Sequence, residues 1–387
     1  MSGHPAAGGL PDGASLLDPL VLRGQRIRNR MAVSPMCQYM AREGLANDWH
    51  FAHLAKFALG GAGIVFVEAT AIEPQGRITH GDVGLWSDGQ IAPLARIAAF
   101  LAAHGSVPAI QLGHAGRKAS AQAPWHGNGP LGTADAARGE AAWPVVGPSA
   151  LPAGPAWQTP AELTEGDLAR LRDSWRTATL RAAAAGFGIV ELHAAHGYLL
   201  HQFLSPLSNR RQDGFGGDLG GRMRFPLDVA EAVRAAWPAD RPMFLRLSAV
   251  DGLDGGLTLE DSVLFARELA ARGVDLIDCS SGGLAGSATA ARVARWPGFQ
   301  VPLAARIRRD AGIPTMAVGL IAEPGHAEAI LQGGQADLVA IGREAMVNPN
   351  WFLAAETALA GPGSYESWPA NYGWWLDRRS RQMRDRG

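Results

Sequence analysis

The 387-residue chain is poor in cysteine, in lysine and in charge. Its two cysteines, Cys37 and Cys279, are too few for a disulfide scaffold, a four-cysteine zinc site or a four-cysteine iron–sulfur cluster, and they indicate a reducing, cytoplasmic setting. Charged residues make up 18% of the chain, and 35 basic against 36 acidic groups argue against a nucleic-acid or membrane-surface protein. No apolar run approaches the roughly 18 residues of a membrane span, and the first residues lack a signal-peptide pattern.

Short apolar runs bounded by glycine recur along the whole chain, and amphipathic stretches separate them. The runs start on average about 44 residues apart, which is room for a strand, a helix and two loops. Most runs are apolar without strict alternation, as expected of parallel strands that are covered on both faces. The eight runs are 31–36, 63–70, 107–114, 188–193, 242–248, 274–280, 314–320 and 336–343.

The segments between the runs carry helix signals. A capping-box pattern at 258–261 precedes an apolar stripe, and the segment 164–185 has the same character. Eight β-then-α units predict a single (β/α)8 TIM barrel over residues 17–360, with a flexible tail at 1–16 and a C-terminal arm at 361–387. A Rossmann-type α/β domain plus a second domain is the alternative, but no G-x-G-x-x-G follows the first run.

Polar residues that follow the barrel strands are the candidates for chemistry, because active sites of such barrels lie at that end. His193 and His196 have a spacing that lets two imidazoles converge on one carbonyl or phenolate oxygen. Tyr198 follows them and is a credible proton donor. The two histidines could instead form a packing pair, or bind zinc together with His114, although there is no H-E-x-x-H motif.

Three further positions point to an anionic ligand. Arg246 interrupts an apolar strand, and a barrel interior does not hold a guanidinium without an anionic or strongly polar partner. Gly319 after the seventh run and Gly342-Arg343 after the eighth lie where these barrels bind phosphate through glycine N–H groups. Structural ion pairs for the two arginines and plain turns for the glycines are the alternatives.

Several motifs follow one another along the predicted barrel. They are SPMCQY at 34–39, VEAT at 67–70, PQGR at 74–77, QLGHAGRK at 111–118, HAAHGY at 193–198, LSPLSN at 204–209, DCSSG at 278–282 and IGR at 341–343. In this order they resemble the Old Yellow Enzyme family of flavin-dependent ene-reductases, in particular its thermophilic-like or xenobiotic-reductase subgroup. The resemblance runs from about Leu17 to Trp351.

This resemblance implies a barrel that binds FMN noncovalently, takes hydride from NADPH or NADH, and passes it to an activated alkene. Arg246 would lie at the N1 edge of the flavin, where a cation stabilises the reduced ring, and Cys37 would tune the potential of the flavin. The phosphate would rest near Gly319 and Gly342. The FMN-contacting residues implied are Ser34, Pro35, Met36, Cys37, Ala69, Gln111, Arg246, Ser281, Gly319, Gly342 and Arg343.

The resemblance also implies roles at the substrate. His193 and His196 would donate hydrogen bonds to the carbonyl oxygen of an enone, enal or maleimide, with nitro-compounds as a further class, and would bind phenols in the same way. Tyr198 would protonate the α-carbon, and Tyr39 would line the pocket.

Aromatic residues of the last part of the chain complete the implied site. Trp374 or Trp375 of the C-terminal arm would line the site of a neighbouring subunit, which requires a homodimer or homotetramer. Trp296 would add another aromatic wall.

Other functions stay open at this point. A metal-dependent hydrolase built on the histidine pair is short of ligands, and no metal site is predicted. A non-catalytic flavin-binding protein would not need the histidine pair and Tyr198 together. A Schiff-base aldolase is disfavoured, because Lys56 falls in the first helix and Lys118 in a loop.

Overall fold

A computed structural model describes residues 13–286, 293–361 and 365–384. Within these residues eight strands close into one barrel, in which each strand pairs in parallel with its neighbours in chain order and the eighth pairs with the first. The predicted TIM barrel is therefore confirmed, and each of the eight apolar runs overlaps one strand. The strands are β1 (Met31–Val33), β2 (Ile64–Ala71), β3 (Val107–Gly113), β4 (Ile189–Ala194), β5 (Met243–Ser248), β6 (Leu276–Ser280), β7 (Thr315–Val318) and β8 (Leu338–Ile341).

One long helix follows each strand and covers the outside of the barrel. Three of these helices begin at capping boxes, at Asn47, Thr164 and Thr258, and the two threonines each accept a hydrogen bond from the backbone N–H three residues on. The helices are α1 (Asp48–Leu59), α2 (Ile91–Ala103), α3 (Glu165–Ala184), α4 (Leu219–Ala236), α5 (Leu259–Ala271), α6 (Val301–Ala311), α7 (Pro324–Gln332) and α8 (Trp351–Ala360).

The strands bury both faces, as their near-continuous apolar sequences require. Outward residues such as Val65, Val190 and Leu245 pack with the helices in one large cluster. Inward residues form a separate cluster that includes Phe66 and Phe244, and this cluster fills the lower part of the barrel. The antiparallel pair Leu20–Leu22 and Gln25–Ile27 contributes to the same inner cluster.

Polar side chains replace this apolar filling one step further along the strands. Because side chains alternate between the two faces of a strand, the inward position after Phe244 is Arg246, and the one after Ile189 is Glu191. Gln111 on β3 pairs laterally with Glu191, Asp278 on β6 pairs laterally with Arg246, and all four residues are buried. We call Gln111, Glu191, Arg246 and Asp278 the polar layer. It lies at the end of the barrel where the strands terminate.

Shorter elements surround this end of the barrel. The long segment between β3 and α3 contains the helix Thr133–Ala136 and the two-stranded pair Val146–Gly147 with Ala161–Glu162. A short helix, Leu199–Leu204, follows β4, and another, Arg343–Val347, follows β8. The C-terminal arm contains one helix, Ala370–Arg384.

Two terminal features complete the fold. Residues 1–12 of the predicted tail lie outside the described residues, whereas Leu16 is fully buried and its backbone N–H donates to the Glu328 carboxylate. Among the helices of the described residues, none has the length and apolar character needed to cross a bilayer.

Candidate active site

Polar side chains from four strands meet where the strands end. Two adjoining clefts open here, and both are lined by Ile78 and Tyr198. His193 lines the first cleft, and Tyr39 and Lys118 line the second. A cleft with an apolar wall and a few convergent polar groups is the usual form of a small-molecule site.

The structure brings His193 and His196 together. Their ring centroids are 5.2 Å apart, and the two rings are nearly perpendicular. The backbone N–H of Ala195 donates to Nδ1 of His193, so the proton of a neutral His193 ring resides on Nε2. Nε2 of His196 lies 2.7 Å from the Ser280 hydroxyl. Each imidazole therefore keeps one nitrogen engaged with the protein and the other available.

Both imidazoles are held in the neutral form. Burial lowers the pKa of His193 and of His196 well below the ordinary value of 6.5, and the charge of Arg246 lowers the pKa of each further. Since a neutral imidazole carries one N–H, each ring can donate one hydrogen bond without bringing a positive charge into the cleft.

The loop that carries His196 is constrained from two sides. His196 has a φ of 58°, a left-handed conformation that costs a non-glycine residue energy. Gly283 packs directly against it, and a Cβ atom there would come within 2.7 Å of the His196 Cα. On the other side the backbone N–H of Gly197 donates to His201, whose Nε2 lies 2.7 Å from the buried Asp251 carboxylate. The position of His196 is therefore set by tertiary contacts.

Tyr198 lies beside the histidine pair. Its ring centroid is 4.9 Å from that of His193, edge to face, and its side chain is buried. Burial raises the pKa of the Tyr198 phenol well above 10, and nearby acidic groups raise it further, so the hydroxyl stays protonated. Tyr39, half-buried with a φ of 54°, lines the same cleft from the loop after β1, and burial raises its pKa as well.

Lys118 is a member of this site that the sequence interpretation assigned to a loop. It ends a single 3-10 turn, Gly116–Lys118, and is almost fully buried. Its Nζ donates to the carbonyl oxygens of His196 and Gly283 at 2.8 and 2.7 Å, and lies 5.4 Å from the Tyr198 ring centroid. Burial, followed by the charge of Arg117, lowers the pKa of Lys118 to about 7. The sequence signal that could have identified Lys118 is its position four residues after His114, which directly follows β3.

Cys37 is half-buried near the end of β1 and has no disulfide partner. Burial raises the pKa of its thiol well above 9, and the carboxylates of Glu68 and Asp82 raise it further, so the thiol is protonated. Glu68 is itself buried at a bulge in β2, and its Oε1 has no hydrogen-bond partner among the described residues. Burial raises the pKa of Glu68 to about 8.

The sequence predicts that Arg246 needs an anionic or strongly polar partner, and the structure shows one of each kind. Its Nη1 donates to the Ser34 hydroxyl at 3.0 Å, and its Nε lies 3.3 Å from an Asp278 carboxylate oxygen. The Gln111 amide, two strands away, donates to Glu191 at 2.8 Å. The Nε of Arg246 has no hydrogen-bond partner among the described residues. A guanidinium at the top of an apolar barrel, with capacity left over, fits the anionic reduced ring of a flavin.

The other residues predicted to contact FMN lie near or after the ends of several strands. Gly342 follows β8, and a Cβ atom there would lie 3.7 Å from the Met36 sulfur and 4.0 Å from Ser34, so the glycine leaves a shallow cradle beside them. Gly319 follows β7, the neighbour of β8, and has a φ of 130° that favours glycine. Pro35, Ala69 and Ser281 are half-buried at the ends of β1, β2 and β6, whereas Arg343 is exposed. These residues fit FMN lying across the end of the barrel.

Two predicted aromatic residues are exposed in the single chain. Trp296 is 52% exposed and packs edge to face on Phe299. Trp374 is 53% exposed and packs on Trp375 and Arg378 within the arm helix. Neither lines the two clefts.

In the metal-dependent alternative His114 would be the third ligand, but both of its ring nitrogens already have partners. His114 lies 3.0 Å from Glu73 through Nε2, and its Nδ1 accepts a hydrogen bond from the Gly116 backbone. Across the three described ranges, no three His, Cys, Asp or Glu side chains gather as metal ligands would.

The fold and site define a barrel oxidoreductase of the flavin-dependent type, and comparison with known proteins identifies the family. The model of the NADH:flavin oxidoreductase / NADH oxidase family matches residues 15–361. An NADPH dehydrogenase of Geobacillus thermodenitrificans is 41% identical over 357 residues, which cover 91% of this chain and 97% of that protein. The chain belongs to the NADH:flavin oxidoreductase / NADH oxidase family.

Solved structures agree with this assignment. Morphinone reductase superposes with a TM-score of 0.73 at 25% identity, covering 92% of this chain and 93% of that one. An old yellow enzyme homologue from Zymomonas mobilis gives a TM-score of 0.72 at 25% identity, covering 92% and 96%. The predictions of the Old Yellow Enzyme family, of a flavin oxidoreductase and of FMN as cofactor with a nicotinamide donor are confirmed.

Neutrality of the histidine pair gives a first prediction. We expect the ring signals of His193 and His196, in selectively ¹⁵N-labelled protein, not to titrate as the pH falls from 8 through 6.5. The unfolded chain takes up protons at these rings below about pH 6.5 and the folded protein does not, so their contribution to the free energy of unfolding decreases as the pH falls further. His193→Gln and His196→Gln assign the signals. Titration of either signal near pH 6.5 would contradict the assignment.

Proposed function

We propose that this flavin oxidoreductase is an ene-reductase. It takes hydride from NADPH or NADH and reduces the activated C=C bond of α,β-unsaturated carbonyl compounds, such as enones, enals and maleimides, and of nitroalkenes. The bound FMN supplies the redox chemistry, because its ring accepts a hydride and later gives it up. The side chains of the site orient the alkene, stabilise the negative charge that forms on its carbonyl oxygen, and donate the proton to its α-carbon.

The observation that carries the proposal is the neutral, edge-on histidine pair beside Tyr198. Hydride arriving at the β-carbon of an enone leaves negative charge on the carbonyl oxygen. Two N–H groups that point to one place stabilise that charge, and they cost no reorganisation because the loop already fixes them. His193 provides its Nε2 proton, and His196 provides its Nδ1 proton.

The role of His196 depends on Ser280. The Ser280 hydroxyl lies 2.7 Å from Nε2 of His196 and 3.3 Å from the Gln300 amide oxygen. When this hydroxyl donates to His196, Nε2 is the acceptor and Nδ1 carries the proton. The Gln300 oxygen also accepts the Ser281 hydroxyl at 2.9 Å, and the contact of Ser280 with His196 is shorter than its contact with Gln300, so we assign the Ser280 proton to His196. Ser280 is therefore a positioning residue for the carbonyl clamp.

Tyr198 is the proton donor of the proposed reaction. Its phenol remains protonated because burial raises its pKa. The Lys118 ammonium near the ring stabilises the phenolate that forms when the proton is delivered to the α-carbon. With FMN bound on the opposite face of the alkene, a proton from Tyr198 would give net trans addition across the double bond.

Ligand contacts at the flavin follow from the placement of the strand ends. Arg246, Gln111 and the loop after β1 would hold the ring, and the backbone at Gly319 and Gly342 would hold the phosphate. Phenols would bind the histidine pair in place of the substrate oxygen, because a phenolate presents the same charge to the two N–H groups.

The arm helix supports an oligomer in this proposal. Tyr372, Trp374 and Trp375 are 46%, 53% and 67% exposed on one short segment. An aromatic group of this size on a surface usually marks an interface. We propose that a homodimer or homotetramer buries it and that Trp374 reaches the neighbouring active site.

The main test follows the flavin spectrum anaerobically. NADPH should bleach the flavin absorption, and 2-cyclohexenone should restore it. In Tyr198→Phe the NADPH step should keep nearly its wild-type rate, while the enone step should slow by about 10²-fold, because only that step needs the proton. Equal loss of both steps, or no effect on the enone step, would remove Tyr198 from this role. A reduced wild-type flavin that enones never reoxidise would refute the proposed function.

Phenol affinity tests the clamp separately. His193→Ala should weaken phenol binding, followed by the flavin absorption, by about 2 kcal/mol, or about thirty-fold in Kd. Ser280→Ala should weaken it by about 1 kcal/mol, since His196 loses the partner that fixes its tautomer. Ser262→Ala is the matched control. It removes a buried hydroxyl of α5 that donates to the Ala249 carbonyl, and it should leave the phenol affinity unchanged. Wild-type affinity in His193→Ala would exclude the clamp.

Sedimentation velocity tests the arm. The wild-type chain should sediment as a dimer or tetramer, and Trp374→Ala with Trp375→Ala should shift it towards the monomer, because the exposed aromatic group drives the association. Trp49→Ala removes a tryptophan of similar exposure, 53%, from α1 and should not change the assembly. A monomeric wild-type chain would refute the proposed role of the arm.

A further inference from the structure

The polar layer contains more acid than its one cation can neutralise. Among the residues of the eight strands, Arg246 is the only arginine or lysine. Glu191 and Asp278 are both 0% exposed, and Arg246 is 7% exposed. Two ionised carboxylates and one guanidinium would leave a net negative charge in the dry interior of the barrel, which is costly.

The hydrogen bonds in the polar layer also indicate that one carboxyl group carries a proton. Glu191 accepts the Gln111 amide through Oε1, whereas its Oε2 has no hydrogen-bond partner among the described residues. Both carboxylate oxygens of Asp278 also lack one, and the Arg246 Nε lies 3.3 Å away without the alignment of a hydrogen bond. Three buried acceptor atoms are thus unsatisfied in one layer. A proton on one of the carboxyl groups would convert an acceptor into a donor.

The groups around the pair leave no other source of compensation. Burial raises the pKa of Glu191 and of Asp278, and the charge of Asp278 raises that of Glu191 further. The inward polar groups near the pair are Gln111 on β3, His193 on β4, Arg246 on β5 and Ser34 directly after β1, and the inward residues of the other strands are apolar: Phe66 on β2, Met316 and Val318 on β7 and Ala340 on β8. His193 is neutral, so Arg246 alone opposes the two acids.

We propose that Glu191 and Asp278 share one proton, and that this proton keeps the guanidinium of Arg246 available to a flavin that gains negative charge. With one proton, the pair and Arg246 are neutral together. Without it, the pair over-compensates Arg246, and a reduced flavin above would meet a net negative layer. Glu191 and Asp278 are thus positioning residues that act on the cofactor through Arg246.

The redox step to which this proton is coupled balances simply. NADPH loses a hydride by breaking the C–H bond of its dihydronicotinamide ring, and the flavin forms an N–H bond and gains one negative charge. NADP⁺ leaves. At a pH at which the pair has lost its proton beneath the oxidised flavin, the new negative charge draws one proton from solvent onto a Glu191 or Asp278 carboxylate. The inference rests on the flavin chemistry of the family and does not depend on the proposed alkene substrate.

Infrared spectroscopy tests the shared proton directly, with or without bound FMN. At neutral pH the wild-type protein should show the carbonyl band of a protonated carboxyl group, shifted in D₂O, and both Glu191→Gln and Asp278→Asn should lose this band. Glu68, whose pKa burial raises to about 8, contributes its own band equally in all three proteins. Asp337→Asn is the matched control, because Asp337 is a buried carboxylate paired with Arg308 and outside the polar layer. An unchanged band in Glu191→Gln would overturn the proposal.

The flavin reduction potential tests the coupling in the FMN-loaded protein. Measured against redox dyes over alkaline pH, the wild-type potential should fall with a slope that corresponds to one more proton per flavin than in Glu191→Gln or Asp278→Asn. Asp337→Asn should retain the wild-type slope. Identical slopes in all four proteins would refute the coupling, and if a variant fails to bind FMN, the infrared comparison on the apoprotein decides. No alkene is used, so failure of the proposed ene-reductase activity would not affect either result.

Discussion

A closed parallel barrel must be filled by its own side chains, and in this protein the filling changes from apolar to polar at one level. Below that level Phe66, Phe244 and their neighbours exclude water. At that level Arg246 and two carboxylates are buried. Because the lower part of the barrel is apolar, burial of a charge there is energetically unfavourable. The charged groups are accessible only from the end where the strands terminate. The position of the histidine pair, the proposed flavin site and the proposed shared proton all depend on this boundary.

Arg246 connects the parts of the site. It donates a hydrogen bond to Ser34, directly after the first strand, and pairs with Asp278 on the sixth. Its charge also helps to keep His193 and His196 neutral, so the cation proposed to contact the cofactor also acts on the histidine pair. In a medium of low dielectric one charge acts over several neighbours, because solvent does not screen it. The electrostatics of the site is therefore a property of the layer and not of any one pair.

The sequence was a good guide wherever the signal was local. Continuous apolar runs bounded by glycine identified the eight strands, because a parallel strand that is buried on both faces is apolar along its whole length. The capping boxes at Thr164 and Thr258 were found because a cap is made within four residues. Arg246 stood out as a charge in an apolar strand. Glu191 and Asp278 carry the same signal, and the sequence interpretation did not use it for them.

What the sequence by itself determined is the class of fold, the family and the list of chemical groups at the strand ends, since these follow from periodicity and from motifs of a few residues. The tertiary structure decided which groups meet. It brought Lys118 from a short turn to the carbonyls of His196 and Gly283, joined Gln111 to Glu191 across neighbouring strands, and left Trp374 exposed on the arm. Such contacts join residues far apart in the chain, and only closure of the barrel sets their distances, burial and protonation.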